Sequence, residues 1–423
     1  MASDRKKVLI IGGGFGGLFT ALDLAGDAVE VTLVTEADHF TFRPLLYEYF
    51  SGEVEAWHIA PDYKELIGND INFVRGAIET IDFEKREAKV STRKDLFSFD
   101  ALVLAVGGVT NFWNVAGAEE FALPFREISD ADKLRNQMVK ALDAVAPTLA
   151  PQDARDELTF AVVGGGASGV ELATKMSDLL TDAFRQRGLK GEPHILLFEM
   201  SDRLVPGMGE DIREYVEKTL LSDHIDVHLQ TRVLEVKPHG IVSEHNGKRS
   251  EIKTVTTVWT AGVRVNPLIE KLNLPKDKNG LVLVEPTLQV KGFENVFALG
   301  DIARVEEVAP VLAGTAQLAF QESALAADNI RAFFGGKNLK TKHFEELGEA
   351  LSLGTKDAAV LIGGNVVGGL LARDARFALY TSRLPTWHHR LKVGASWFFE
   401  GTMPKPLQPR GMDNRSFIGD IFT

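Results

Sequence analysis

Two stretches of this 423-residue chain repeat one glycine spacing directly behind a run of apolar residues. The first is Lys7-Val8-Leu9-Ile10-Ile11-Gly12-Gly13-Gly14-Phe15-Gly16-Gly17. The second is Phe160-Ala161-Val162-Val163-Gly164-Gly165-Gly166-Ala167-Ser168-Gly169. In a Gly-x-Gly-x-x-Gly turn the first glycine makes the bend and the second lets the backbone approach a pyrophosphate. The third lets the following helix pack on the strand, and that helix points its N-terminus at the negative charge. Gly12, Gly14 and Gly17 take these places in the first stretch, and Gly164, Gly166 and Gly169 in the second. One such turn is a weak signal. Here each follows a strand pattern and opens a helical one, which is the context the motif requires. Two turns call for two dinucleotides, most simply a bound flavin and a visiting nicotinamide.

The surrounding pattern is β–α–β in both places. Residues 8–11 read as a buried strand, 16–24 as a helix and 30–35 as the next strand. The second unit opens at Leu158, with a helix over 170–187 and a strand over 194–199. Each second strand should end on an acid that binds ribose hydroxyls. Glu36 stands 19 residues after Gly17, and Glu199 stands 30 after Gly169, a loop at 186–193 filling the longer gap. A carboxylate at Glu199 disfavours a 2′-phosphate, so NADH is expected over NADPH, with Arg203 nearby softening the preference. Further strands are read at 71–83, 87–91 and 255–258. The strand at 99–107 ends on Gly107, and another ends on Gly300-Asp301. Helices are read at 129–145 and 315–334, and a proline-containing linker at 146–156. The expected division is 1–117, 118–156, 157–280, 281–341 and 342–423, with the second unit inserted into the first.

The chain contains no cysteine. That removes disulfides, cysteine-held zinc, iron–sulfur clusters and every route that passes electrons through a protein dithiol. Adjacent His388 and His389 would point in different directions on a helix, and no further ligand is suitably spaced, so no metal is expected. The net charge of −12 argues against nucleic acid. The charge is uneven, however: Arg373 to Arg415 carries eight Arg or Lys against three acids, leaving the remainder near −17. A basic tail on an acidic body points to an anionic surface such as lipid. No leader is read at residues 1–7, and no segment reads as membrane-spanning. The uncharged stretch 358–372 holds four glycines and reads as two strands around a Gly-Gly-Asn turn.

Thr315-Ala316-Gln317-Leu318-Ala319-Phe320-Gln321 resembles the Ala-Gln-x-Ala-x-Gln element of type II NADH:quinone oxidoreductases, where it borders a quinone site at the flavin. Arg43-Pro44-Leu45-Leu46-Tyr47, Thr110-Asn111-Phe112-Trp113, Gly169-Val170-Glu171-Leu172-Ala173 and Trp259-Thr260-Ala261-Gly262-Val263 also match, so the resemblance covers nearly the whole chain. It implies an α/β two-dinucleotide-binding flavoprotein fold, with two Rossmann-like domains and a C-terminal membrane-associating region. The first unit would hold FAD non-covalently and the second would receive NADH, NADPH being admitted. Besides the two glycine turns with Phe15, Gly16, Ala167 and Ser168, it assigns Glu36, Arg43, Leu45, Ile78, Gly107, Gly300, Asp301, Gln317, Leu318, Glu199 and Gly262 to the cofactors. Glu171, Gln317, Gln321 and Lys392 are the candidate catalytic residues. The two glutamines share a helical face, and Glu171 would sit on the first turn of its helix as a proton relay.

Two details set the chain apart. Ala313-Gly314 precedes Thr315 where many relatives carry prolines. The segment Arg383-Leu384-Pro385-Thr386-Trp387-His388-His389-Arg390-Leu391-Lys392 resembles the cyanobacterial and plastid branch, which includes demethylphylloquinone reductases. The expected acceptor is plastoquinone, menaquinone or a naphthoquinone precursor. The expected setting is a homodimer on the cytoplasmic side, peripheral on an inner or thylakoid membrane. Trp387, Leu391, Val393, Trp397 and Phe398 would meet lipid, and Arg383, Arg390, Lys392 and Lys405 its headgroups. A reductase of a soluble electron carrier and a slow NADH-sensing regulator are the competing readings.

Overall fold

A computed structural model describes residues 5–145, 158–305, 314–345 and 348–408. The linker expected at 146–156, Ala313, and the tail charges Arg410, Asp413 and Arg415 lie outside the described residues. Five helices recur below: α1 (Phe15–Leu24), α2 (Ala167–Arg187), α3 (Ala316–Phe334), α4 (Gly369–Ser382) and α5 (Trp387–Glu400).

The chain folds into two compact units. The first comprises Met1–Thr41, Pro61–Val109 and Val263–Leu347. The second comprises Phe42–Ala60, Thr110–Gly262 and Gly348–Thr423. The segments of the two units alternate along the chain. Residues 42–60, expected with the first glycine turn, belong to the second unit. Glu48 on the short helix Leu46–Ser51 and Glu53 in the bend after it pair with Lys175 of α2, and Arg135 donates to the Phe50 carbonyl at 2.7 Å. Strand and helix periodicity registers none of these pairings.

The first unit is built on an all-parallel sheet in the order Val296–Ala298, Ala101–Leu104, Lys6–Ile11, Val29–Thr35, Ile71–Arg75. Ile10, Leu33, Leu102, Val103 and Phe297 are fully buried, which is why these strands read as continuous apolar runs. The strand expected at 71–83 breaks at residues 76–77, and Ile78–Asp82 joins a separate antiparallel sheet. Phe19 of α1 meets Phe320 of α3 edge-on at 4.9 Å. Thr315 caps α3, its side chain accepting from Leu318 N at 3.1 Å.

The second unit repeats the scheme in the order Ile225–His228, His194–Phe198, Thr159–Val163, Thr256–Trp259, Ala122–Pro124, again all parallel. Its core packs Ala161, Val163, Phe198 and Trp259 against Val233, Val236 and Ile241 of an antiparallel sheet. Strands Ala358–Ile362 and Asn365–Val367 form the expected hairpin, but residues 369–372 open α4 instead of extending it. Ala372, Arg376 and Phe377 are buried at helical spacing there, so helical period overrides local strand character. α5 buries His389, Val393 and Ser396. The expectation that Val393 and Trp397 face lipid is therefore corrected. Val393 is fully buried, and Trp397 is half-buried with its ring edge-on to Phe377 at 5.0 Å.

Candidate functional sites

The first glycine turn meets the steric demands of a pyrophosphate cradle. Gly12 has φ +108°, and a Cβ there would lie 2.3 Å from the Ala105 carbonyl oxygen. A Cβ at Gly17 would lie 1.8 Å from the Gly12 oxygen, whereas one at Gly14 would meet nothing within 4 Å. Bend, open approach and tight packing thus fall on the three expected positions. No side chain caps α1, and its first turn holds no acid, so the positive end of the helix is left to an anion. Phe15 packs edge-on to Phe40 at 5.2 Å, and Gly16 is buried. Glu36 is exposed just past the end of Val29–Thr35, where a ribose-binding acid belongs.

The ends of the neighbouring strands complete this face. Gly107 (φ +65°) is close enough that a Cβ would lie 4.0 Å from Asp301 Oδ2. Gly108 N points at the same oxygen from 3.4 Å, and Gly300 takes φ +73°. The residues present fit FAD: a cradle, a ribose acid, and Asp301 for the ribityl chain. Glu322 of α3 is a further member that the motifs do not mark. It is buried and accepts from Gly300 N at 2.6 Å. Burial pushes its carboxyl up to about 8, and Asp301 adds to the shift. An acid among Leu318, Ala319, Leu325 and Ala326 at helical spacing is the signal the sequence offers for it. Ile78 is half-buried on its strand. Arg43 and Leu45 lie in the second unit, where Glu127 and the Arg126 carbonyl hold the Arg43 guanidinium and Leu45 is buried.

The second turn has the same geometry. Gly164 has φ +114°, a Cβ at Gly169 would lie 1.7 Å from the Gly164 oxygen, and one at Gly166 would meet nothing within 4 Å. α2 begins at Ala167 and Ser168 with no side-chain cap and no acid in its first turn. Glu199 closes the next strand. Its carboxylate accepts from Gly165 N at 2.6 Å and from Ser201 N and Oγ at 2.7 and 2.8 Å, so it is fixed to the glycine turn. Arg203 is drawn off by Asp202, with contacts of 2.9 and 3.0 Å. Gly262 (φ +91°) lies beyond the strand Thr256–Trp259, next to Ala261, whose backbone borders Gly164. These features fit NADH.

Glu171 is the fifth residue of α2, one turn beyond the position expected, and its side chain is buried. Oε1 accepts from Ser352 N at 2.9 Å and from Arg376 Nη2 at 2.8 Å. Burial pushes its carboxyl up to about 7; Arg376 opposes the shift and Glu48 adds to it. Arg376 also holds Glu48, and Lys175 joins Glu48 to Glu53, which Arg373 contacts at 3.2 Å. Burial opposes the charge on Glu48, but Arg376 and Lys175 outweigh it, so its carboxyl titrates below the usual range. One Glu48 oxygen and Arg376 Nε have no hydrogen-bond partner. Glu171's basic partner is thus Arg376 on α4, while Lys392 is half-buried on α5. The sequence signal for the cluster is charge set among apolar neighbours, as in Leu46-Tyr47-Glu48-Tyr49-Phe50.

The two glutamines of α3 part company. Gln321 is buried, its Nε2 donating to the Glu345 carbonyl at 2.8 Å and its Oε1 accepting from Glu345 N at 3.2 Å. Its amide is fully engaged in holding the chain after α3. Gln317 is half-buried one turn earlier, beside the buried Leu318.

Residues 6–322 match the family model described as pyridine nucleotide-disulphide oxidoreductase. Over 94% of its length the chain is 35% identical to demethylphylloquinone reductase NdbB of a Synechocystis species, covering 96% of that protein. It is 33% identical to the alternative NAD(P)H-ubiquinone oxidoreductase C1, chloroplastic/mitochondrial, of Arabidopsis thaliana, over 94% of this chain and 81% of the relative. The fold superposes on NDH2 of Plasmodium falciparum, solved in complex with NADH. The TM-score is 0.82 at 19% identity, covering 96% of this chain and all of that one. The disulphide of the family's name has no counterpart in a chain without cysteine. The chain belongs to the pyridine nucleotide-disulphide oxidoreductase family as a type II NADH:quinone oxidoreductase, carrying electrons from NAD(P)H through FAD to a quinone without pumping protons.

Proposed function

We propose that this enzyme reduces a membrane-borne naphthoquinone with NADH as the preferred donor, seated on one leaflet by α4 and α5. The carrying observation is the row of bare apolar side chains on these helices. Leu371 is 80% exposed and Phe398 83%, with Leu370, Trp387, Leu391 and Phe399 also exposed, as is Met403 just beyond α5. Among the described residues no helix is long and apolar enough to cross a membrane. Helices with one apolar face lie in the interface plane, at a strength set by buried apolar area plus attraction to anionic headgroups. Of the expected headgroup contacts, Lys405 is paired with Glu55, and Arg390 Nε donates to the Leu384 carbonyl. Apolar area therefore acts together with the charges of Arg383, Arg390 and Lys392.

The naphthoquinone reading rests on the similarity to the demethylphylloquinone reductase. The donor preference rests on Glu199, held against the second glycine turn and proposed to meet the adenosine ribose, with Arg203 engaged by Asp202. Glu171 is proposed as the proton-handling carboxyl and Gln317 as a quinone-site residue. The test is steady-state NADH oxidation against a panel of benzo- and naphthoquinones in anionic liposomes, repeated with NADPH. A naphthoquinone should give the highest kcat/KM, and NADH should exceed NADPH. A benzoquinone in first place, or NADPH as the better donor, overturns the corresponding part.

A further inference from the structure

Trp113 combines three features that rarely occur together. Its indole is 63% exposed. Its backbone lies in the left-handed region, φ +52°, followed by Asn114 at +55°, a conformation costly for a bulky residue. It is nevertheless firmly held. Trp113 Nε1 donates to the Ala261 carbonyl at 3.1 Å, and Trp113 N donates to Asn111 Oδ1 at 2.9 Å. Asn111 N donates to the Gly262 carbonyl at 3.2 Å, and Trp259 Nε1 to the Asn111 carbonyl at 2.9 Å. The ring lies against Gly262, where a Cβ would come within 2.7 Å of Trp113 Nε1. A core residue would be buried and a surface residue would be free. Trp113 is neither, and Gly262 at φ +91° keeps the space it needs.

Its place in the second unit says what the ring is held for. The pyrophosphate belongs at Gly164–Gly169, on the central strand Thr159–Val163. Glu199, on the flanking strand His194–Phe198, marks the side taken by the adenosine ribose. The other half of the dinucleotide must then cross toward the opposite neighbour, Thr256–Trp259. That strand continues into Ala261-Gly262, where Trp113 sits, and a Cβ at Gly164 would lie 2.9 Å from Ala261 N. We infer that Trp113 forms an aromatic wall for the nicotinamide end of NADH, held in place by its hydrogen bond to the Ala261 carbonyl. The inference rests on the reading of the second unit as the NADH site. Its chemistry is stacking of a flat ring on an indole face, which tolerates ring substituents and contributes about tenfold or more to affinity.

The holoenzyme is titrated calorimetrically with two probes. One is 1,4,5,6-tetrahydro-NAD, which has the reduced ring's shape but cannot give up hydride. The other is ADP-ribose, which has the same pyrophosphate and adenosine but no nicotinamide. Trp113→Asn removes the indole while accepting the left-handed backbone, and Trp113→Phe keeps an aromatic face. Trp113→Asn should bind tetrahydro-NAD on the order of tenfold more weakly and ADP-ribose as the wild type does, with Trp113→Phe close to wild type for both. Equal weakening of both probes, or of neither, overturns the inference. Failure of wild type to bind either probe overturns the NADH reading itself. Should Trp113→Asn not fold, tryptophan oxidation by N-bromosuccinimide is mapped by mass spectrometry in wild type. Tetrahydro-NAD should shield Trp113 and ADP-ribose should not; equal oxidation with both probes overturns the wall.

Discussion

At the scale of single residues, two buried carboxyls tie stability and turnover to pH. A carboxyl whose folded pKa exceeds its unfolded value holds its proton more tightly when folded. It therefore stabilises the fold fully below the unfolded pKa, and that contribution is lost as pH rises through the folded one. For Glu322 the window runs from the ordinary 4.5 to about 8, and each pH unit crossed within such a window weakens the fold by about 1.4 kcal/mol at most. Urea denaturation between pH 5 and 8 should show wild-type stability falling more steeply than that of Glu322→Gln. Parallel slopes would mean that Glu322 ionises in the folded protein at its ordinary pKa. Glu171 has the same sign over 4.5 to about 7. If it handles a proton in quinone reduction, Glu171→Gln should abolish an inflection near pH 7 in the quinone half-reaction. Stopped-flow flavin reduction by NADH should persist in the variant, and an inflection unchanged in it would assign the titration to another group.

At the scale of elements, α3 serves both its own packing and the proposed quinone site, and the two glutamines separate these roles. Gln321→Ala leaves the Glu345 amide and carbonyl without their side-chain partner, a cost of roughly 0.5–1.5 kcal/mol per hydrogen bond lost. Thermal unfolding should show a Tm lowered by a few degrees, and both half-reactions should decline together. Gln317→Ala should leave Tm near wild type and slow only the quinone half-reaction. A thermal loss for Gln317→Ala equal to that of Gln321→Ala would make both glutamines packing residues. The i, i+4 spacing by itself suggests one role for both. It fixes a helical face and says nothing about what covers each end of it.

At the scale of the whole molecule, α5 packs inward on one face and carries the proposed membrane contact on the other. Its inner face carries His389, whose Nε2 lies 2.8 Å from the His58 carbonyl, and Ser396, 3.0 Å from His58 Nε2. Deleting the helix would uncover that face as well as remove the proposed membrane contact. Replacing Leu391, Phe398 and Phe399 together by Ser changes the exposed face alone. The triple variant should lose co-sedimentation with anionic liposomes while keeping NADH oxidation by a soluble short-chain quinone. Undiminished sedimentation would remove α5 from the membrane contact.

Both dinucleotide turns, their strands, the parallel sheets and the acids at Glu36 and Glu199 were determined by the sequence. Each depends on neighbours within one β–α–β unit, where glycine spacing and apolar period act directly. The absence of cysteine likewise determined that electrons leave without a protein dithiol. What only tertiary structure decided is pairing across long separations. Glu171 meets Arg376, 205 positions away, and residues 42–60 bring Glu48 and Glu53 to Lys175. The tail likewise turns Val393 inward and leaves Phe398 bare. A buried ion pair depends on which distant charge arrives to offset desolvation. No local pattern records that arrival, so the sequence alone does not name the arginine on α4 that reaches Glu171.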